Sequence, residues 1–258
     1  MNTVTEIRTG NLLLNALSPD DLALLAEKME PVSLSRDDII VVSNAEIDHV
    51  YFPDDGLASI STVTSIGRQT EVAIFGRDGV SATCLILDVF SSPHETRVQM
   101  AGMSAHRIET EHYLAAIAQS PTLRSALLHY VQTLLVQAEH NAATNAHQRI
   151  EVRLARWLLM AHDRIDGDEL RLTHEFMAKM VSAERSGVTI ALHMLEGSGL
   201  IKSERGRVIM IDRPMLERLA GECYGLPEAE YRKLIGPLGR GACARVQVNS
   251  ARSPGAKQ

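Results

Sequence analysis

Four side chains between positions 185 and 193, Arg185, Ser186, Thr189 and His193, can donate or accept hydrogen bonds, and two of them can carry positive charge. On a helix they lie near the N-terminus and opposite the apolar set Val188, Ala191, Leu192 and Leu195. Such a surface suits a helix that enters a DNA major groove with its N-terminus leading. Guanine offers two acceptors that an arginine can grip, and phosphates accept from hydroxyls. Covalent chemistry has no comparable support. His174-Glu175 opens like a zinc-protease H-E-x-x-H, but Ala178 stands where the second histidine is needed. No Gly-rich phosphate loop and no G-x-S-x-G elbow occurs, and the chain is not expected to be an enzyme.

The elements that must position these groups can be read around them. Thr173 is a natural N-cap, followed by Phe176, Met177, Met180 and Val181 on one helical face. Ser182-Ala183 interrupts the pattern. The second helix then runs to Gly197-Ser198-Gly199, a helix-stop sequence. Two short helices joined by a tight turn make a helix-turn-helix, or equally an ordinary helical hairpin with a solvated face. The next segment, KSERGRVIMID, alternates around Arg205-Gly206-Arg207 and reads as a β-hairpin wing with two arginines at its tip.

Residues 172–201, LTHEFMAKMVSAERSGVTIALHMLEGSGLI, resemble the DNA-binding segment of the cyclic-AMP receptor protein/FNR (Crp/Fnr) family. The shared pattern is L-T-x-x-x-apolar-A-x-apolar-V, a turn, x-R-x-x-V, then L-x-M-L-E-x-x-G-L-I. It covers about 30 positions without a gap, and weaker similarity extends over residues 12–220. The resemblance implies an α+β chain: an N-terminal antiparallel β-roll, a long dimerisation helix and a C-terminal winged helix-turn-helix. It also implies a sequence-specific regulator that binds double-stranded DNA as a homodimer on a palindromic site, with RNA polymerase as a further partner. Arg185 becomes the first choice for a base contact, to guanine. Ser186, Thr189, His193 and Thr173 become further contacts, and Lys202, Arg205 and Arg207 phosphate contacts. The acidic residue and second arginine that the family places after that Arg are Ser186 and Ile190 here, so the target sequence should differ from that of well-known relatives.

Composition fits this reading. The 258 residues suffice for two domains, and 45% apolar and 22% charged residues are ordinary for a globular chain. Three scattered cysteines, Cys84, Cys223 and Cys243, indicate a reducing compartment. With no signal-peptide pattern and no apolar run of membrane-spanning length, a cytoplasmic protein is expected. The net charge of −6 is uneven: −10 over residues 1–146, +1 over 147–220 and +3 over 221–258. An acidic sensing half and a DNA-facing half would be distributed in this way. The DNA-facing half is only marginally basic, so Arg185, Lys202, Arg205 and Arg207 must collect on one face.

In chain order, Ser18-Pro19 opens a helix carrying Leu22, Leu25, Ala26 and Met29. Residues 32–110 then change to short β-runs: Val32–Leu34, Ile39–Val42, Val50–Phe52, Leu57–Val63, Gln69–Phe75 and Val98–Ile108, the last with a weak break at Gly102. Many short strands at close spacing predict an antiparallel barrel or jelly roll. The resemblance makes it a cyclic-nucleotide-binding-type roll. The ligand pattern, however, is degraded. Gly79-Val80-Ser81 lacks the carboxylate used for a ribose, and Arg97, the one candidate for a cyclic phosphate, is out of register and follows Glu95. The roll is therefore either an effector sensor for another small molecule or a structural module. No cofactor is expected: three cysteines are too few for an iron–sulfur cluster of four thiolates, and His94, His106 and His112 form no metal pair. A small-molecule-binding roll whose C-terminal domain contacts proteins is the competing reading.

Residues 111–146 return to helical period. Leu114, Ile117 and Ala118 form a short helix and Pro121 restarts the chain. Leu127, Leu128, Val131, Leu134, Leu135, Ala138, Ala142 and Asn145 or Ala146 then follow a 3/4 spacing that favours a coiled-coil seam. From residue 147 the chain is read as continuing in helix, with Trp157 in the core, up to an acidic turn at Asp163–Glu169 that leads into a short strand, Leu170–Leu172. The expected domains are a β-roll at 12–120, a dimerisation helix at 121–146, a winged helix-turn-helix at 147–220, and a short helix with a disordered tail at 221–258.

Overall fold

The computed structural model describes residues 9–63, 69–100 and 102–239. The predicted tail, with Cys243, lies outside them from residue 240, as does the connection between the predicted runs Leu57–Val63 and Gln69–Phe75, at 64–68.

The chain opens with α1 (Leu12–Asn15) and α2 (Pro19–Ala26), the latter capped by the Ser18 hydroxyl with Pro19 in its first turn. The β-region contains β1 (Glu30–Leu34), β2 (Ile39–Val41), β3 (His49–Asp55), β4 (Ala58–Val63), β5 (Gln69–Phe75), a 3-10 turn at Thr83–Leu87, β6 (Glu95–Val98) and β7 (Met103–Glu109). The predicted run Val98–Ile108 is thus two strands, parted where Gly102 takes a positive φ of 126°. Two antiparallel sheets result, ordered β1-β7-β3 and β2-β6-β4-β5, and they form the predicted roll.

After α3 (Thr110–Gln119), α4 (Pro121–His147) starts at Pro121 with the Ser120 hydroxyl on the Leu123 amide. Its buried face differs from the predicted seam. Leu123, Leu127, Tyr130, Thr133, Gln137, Asn141 and Thr144 point into the protein. The second half of this face is polar for a physical reason: β5 is an edge strand with unpaired backbone groups. The Ile74 amide donates to Gln137 Oε1 at 2.8 Å, and Asn141 Nδ2 donates to the Val72 carbonyl at 2.8 Å. At the other end, Gly79 lies so close to Tyr130 that a Cβ there would sit 2.0 Å from the phenol oxygen. Leu127 is therefore core, while Leu128 and Leu135 remain 37% and 51% exposed.

The predicted continuation of this helix past residue 147 is also corrected. Gln148 and Arg149 are extended, and α5 (Ile150–His162) is a new helix. Arg153 explains how the break is held. Its guanidinium donates to the Val181 carbonyl at 3.1 Å and, at 3.4 Å, to that of Asn145 in the last turn of α4. It satisfies carbonyls that helix ends leave orphaned.

The remaining elements are β8 (Glu169–Leu170), α6 (His174–Met180), α7 (Arg185–Gly197), β9 (Ile201–Glu204), β10 (Arg207–Met210), α8 (Arg213–Ala220) and α9 (Leu226–Leu234). The short strands form a sheet ordered β8-β10-β9. A core built on Trp157, Leu158, Met177, Leu192 and Leu195 ties α5, α6, α7 and the wing together and also takes in Leu57 and Ile74 of the roll.

Candidate nucleic-acid interface

The tight turn between α6 and α7 follows from local hydrogen bonding. The Thr173 hydroxyl accepts from the Phe176 amide at 3.1 Å and starts α6. At its end the Ala183 amide reaches back to the Ala178 carbonyl at 2.9 Å, with Ser182 left-handed at φ 49°. This is the helix-stop geometry usually given to glycine. The end of α7 repeats it with a glycine: Leu200 N donates to the Leu195 carbonyl at 3.0 Å around Gly199, φ 73°. Gly187 lets α7 approach α5, since a Cβ there would meet Ile150 at 2.7 Å.

Val188, Ala191, Leu192 and Leu195 are the buried face of α7, as predicted. Arg185, Ser186 and His193 are exposed. The N-cap residue Glu184 makes no side-chain bond to the helix start, so the first amides of α7 keep their anion-attracting character. Among the described residues the Arg185 guanidinium has no ion-pair partner. Thr189 differs from expectation. Its hydroxyl donates to the Arg185 carbonyl at 3.0 Å and lies 2.9 Å from His174 Nδ1, so it is engaged within the protein. Burial and then the Arg185 charge hold His174 below the usual histidine range, which favours its neutral form at pH 7.

The wing is formed as predicted, with Gly206 at φ 77° in a two-residue turn. Its cations, however, are not all available. Glu204 pairs with Arg207 and, at 2.8 Å, with Lys202, and Arg207 also reaches Glu169 at 3.3 Å. Arg205, at the tip, is the wing cation without an ion pair among the described residues. Thr173 is exposed, but its hydroxyl serves the helix cap. In the roll, Arg97 binds Glu95 Oε1 at 2.8 and 3.0 Å and the Asp37 carbonyl at 2.9 Å. The residues therefore fall into three places: the α7 face, the wing tip and, remote from both, Arg97.

A set that the sequence reading missed joins the roll to the C-terminal half. Arg164 grips Asp78 through two bonds, of 2.9 and 2.7 Å, with both side chains buried. Arg77 donates to the Arg164 carbonyl at 3.1 Å and pairs with Asp166 at 2.9 Å. The Tyr231 hydroxyl of α9 donates to the Asp78 carbonyl at 2.8 Å. Beside them the Trp157 indole donates to Glu71 at 3.0 Å. Burial pushes the Glu71 carboxyl up to about 8, against the opposing effects of the Trp157 bond and the Arg156 and Arg164 charges. Single charged residues in GRDG and DRIDG look like solvated turns in sequence, and only the tertiary fold buries them together.

Residues 152–219 match the Crp-like helix-turn-helix domain. A CRP-like cAMP-activated global transcriptional regulator of Mycobacterium tuberculosis is 24% identical over 219 residues, spanning 81% of this chain and 96% of its own. A transcriptional regulator of the CRP family from Thermus thermophilus superposes with a TM-score of 0.62 at 18% identity, over 75% of this chain and 97% of its own. FixK2 from Bradyrhizobium japonicum gives a TM-score of 0.62 at 18% identity, over 75% and 98%.

Proposed function

We propose that this chain, through the helix-turn-helix domain that residues 152–219 match, is a Crp-type transcription regulator that works as a homodimer on a palindromic duplex site. The observation that carries this reading is the outer face of α7: Arg185 without an ion pair among the described residues, beside exposed Ser186 and an uncapped helix start. Arg185 reads guanine, Ser186 and His193 supply hydrogen bonds to base edges or phosphate, and Arg205 binds phosphate at the wing tip. Thr189 and Thr173 contribute by shaping the turn. Lys202 and Arg207 contact phosphate only by sharing or leaving Glu204.

In this reading residues 12–120 are the sensor or structural half, 121–146 the dimerisation helix, and 147–220 the DNA-binding half. The outer face of α4 supports dimerisation. With Leu127 and Tyr130 facing inward, Leu128, Val131, Leu135, Ala138, Ala142 and Asn145 still follow a 3/4 spacing, the pattern of a two-stranded seam. The stripe runs for about 26 Å along the helix at 1.5 Å per residue. Exposed Leu87, Val89 and Phe90 flank Asp88, which pairs with Arg124 of α4 at 3.0 Å, so they extend the apolar face. A twofold axis along α4 would present two α7 helices to successive major-groove turns. RNA polymerase then enters as the partner that a promoter-bound regulator meets. Cyclic AMP, named for the mycobacterial relative, is not carried over, because Glu95 neutralises Arg97 and Gly79-Val80-Ser81 offers no carboxylate. The roll answers to another small molecule or serves as a scaffold.

The test is duplex binding against salt after selecting bound sequences from a random pool. Neutralising several phosphates predicts an affinity that falls steeply with salt, with one protein dimer per palindrome. Binding that ignores salt, or no binding by a folded dimer, would leave the competing reading, a small-molecule roll with protein partners.

A further inference from the structure

The outermost stripe of α7 contains a residue that no hydrogen-bonding role explains. At about 100° per residue, the buried set Val188, Ala191, Leu192 and Leu195 places Ser186, Ile190 and His193 directly opposite the core. Ile190 is 63% exposed there. A scattered exposed apolar residue needs no explanation, but Ile190 is not scattered. Met194, one turn on, is 52% exposed. Both residues line an open groove of about 380 Å³ with Ile150, Gly187 and Ala191, which the charged residues Arg149, Glu151 and Arg153 also border. Isoleucine also brings no helix-propensity advantage at a solvent position.

We propose that Ile190 is a specificity-determining residue that reads a thymine 5-methyl group in the major groove. The proposal rests on the DNA-binding reading above and sharpens it. The occupant follows from the neighbours. Arg185, without an ion pair among the described residues, and the uncapped start of α7 favour a polyanion over an apolar protein face. The thymine methyl is the one apolar mark that the major groove displays. Thr189, with its hydroxyl engaged inside the protein, adds no competing donor. Ile190 lies five residues beyond Arg185, about 7.5 Å along the helix axis, or about two base-pair steps at 3.4 Å each. A guanine and a thymine roughly two steps apart in each half-site are the expected pair.

The experiment uses the full-length protein on its selected duplex, with each thymine replaced singly by deoxyuridine, which removes only the methyl. The wild type should lose about four-fold in affinity at one thymine per half-site, the effect of one buried methyl. Ile190→Ala should bind the unmodified duplex more weakly and be indifferent to that substitution. Ile190→Val, which keeps the branched end, should retain sensitivity and so controls for folding. Indifference of the wild type to every replacement would overturn the proposal, as would equal sensitivity in Ile190→Ala. Loss of self-association with duplex affinity intact would overturn it in favour of a protein contact. Failure to distinguish selected from random duplex would instead remove the DNA reading beneath it.

Discussion

Replacing Glu71 with glutamine should make the protein more stable in neutral and alkaline buffer and leave it almost unchanged in mild acid. Glu71 is 5% exposed, with the Trp157 indole as its hydrogen-bond donor at 3.0 Å. Its carboxyl titrates near 8 in the folded protein, against an ordinary value of 4.5. A raised folded value means that the folded state holds the proton longer than the unfolded chain does. The associated stability is therefore complete below about pH 4.5 and is lost as pH rises toward 8. Between pH 5.5 and 8 the loss is about 3 kcal/mol, from 1.36 kcal/mol for each pH unit in which only the unfolded state is ionised. Glutamine keeps an acceptor for the indole and cannot ionise. Urea denaturation of both proteins across that range is the assay. The wild-type curve should fall relative to Glu71→Gln by an amount of that order, and the subtraction removes the titrations common to both. Parallel curves would show that Glu71 ionises normally and that its burial imposes no penalty.

Three further outcomes are expected. Asp78→Asn leaves the buried Arg164 guanidinium without its counter-charge, and should cost about 3–5 kcal/mol of stability, read by thermal denaturation; a loss under 1 kcal/mol would mean that water reaches the pair. Leu135→Glu places charge in the outer stripe of α4 and should convert dimer to monomer in sedimentation, with helix content unchanged; a persisting dimer would move the interface elsewhere. Arg205→Ala should weaken binding to all duplexes alike and reduce the salt slope by about one phosphate, whereas Arg207→Ala should do less, because Glu204 and Glu169 already hold that side chain. The reverse order would contradict the ion pairing of the wing.

The sequence carried local features more faithfully than tertiary ones. Thr173, Pro19 and Pro121 mark helix starts by short-range hydrogen bonding and backbone geometry, and each is found at a helix start. The apolar faces of α6 and α7 and the alternation of the wing were equally visible. The inner face of α4 was not, because Gln137 and Asn141 are buried to serve the edge of β5, a need set by residues more than 60 positions away. The α4 to α5 break depends on Arg153 bonding two helix ends, again a tertiary arrangement. At the candidate interface, residue type revealed Arg185 and Ser186. The pairing of Arg207 with Glu204, and the inward use of the Thr189 hydroxyl, needed coordinates. Ile190 was visible in the sequence only as a departure from the family's second arginine; that it stands exposed beside Met194 needed coordinates.

The most direct measurement is the affinity of wild type and Arg185→Ala for the selected palindrome and for random duplex at one fixed salt concentration. If Arg185 grips a base, the variant loses about 1–3 kcal/mol on the palindrome, relaxes its preference at one base pair, and loses much less on random DNA. Equal losses on both duplexes would make Arg185 a phosphate contact and contradict base reading by the α7 face.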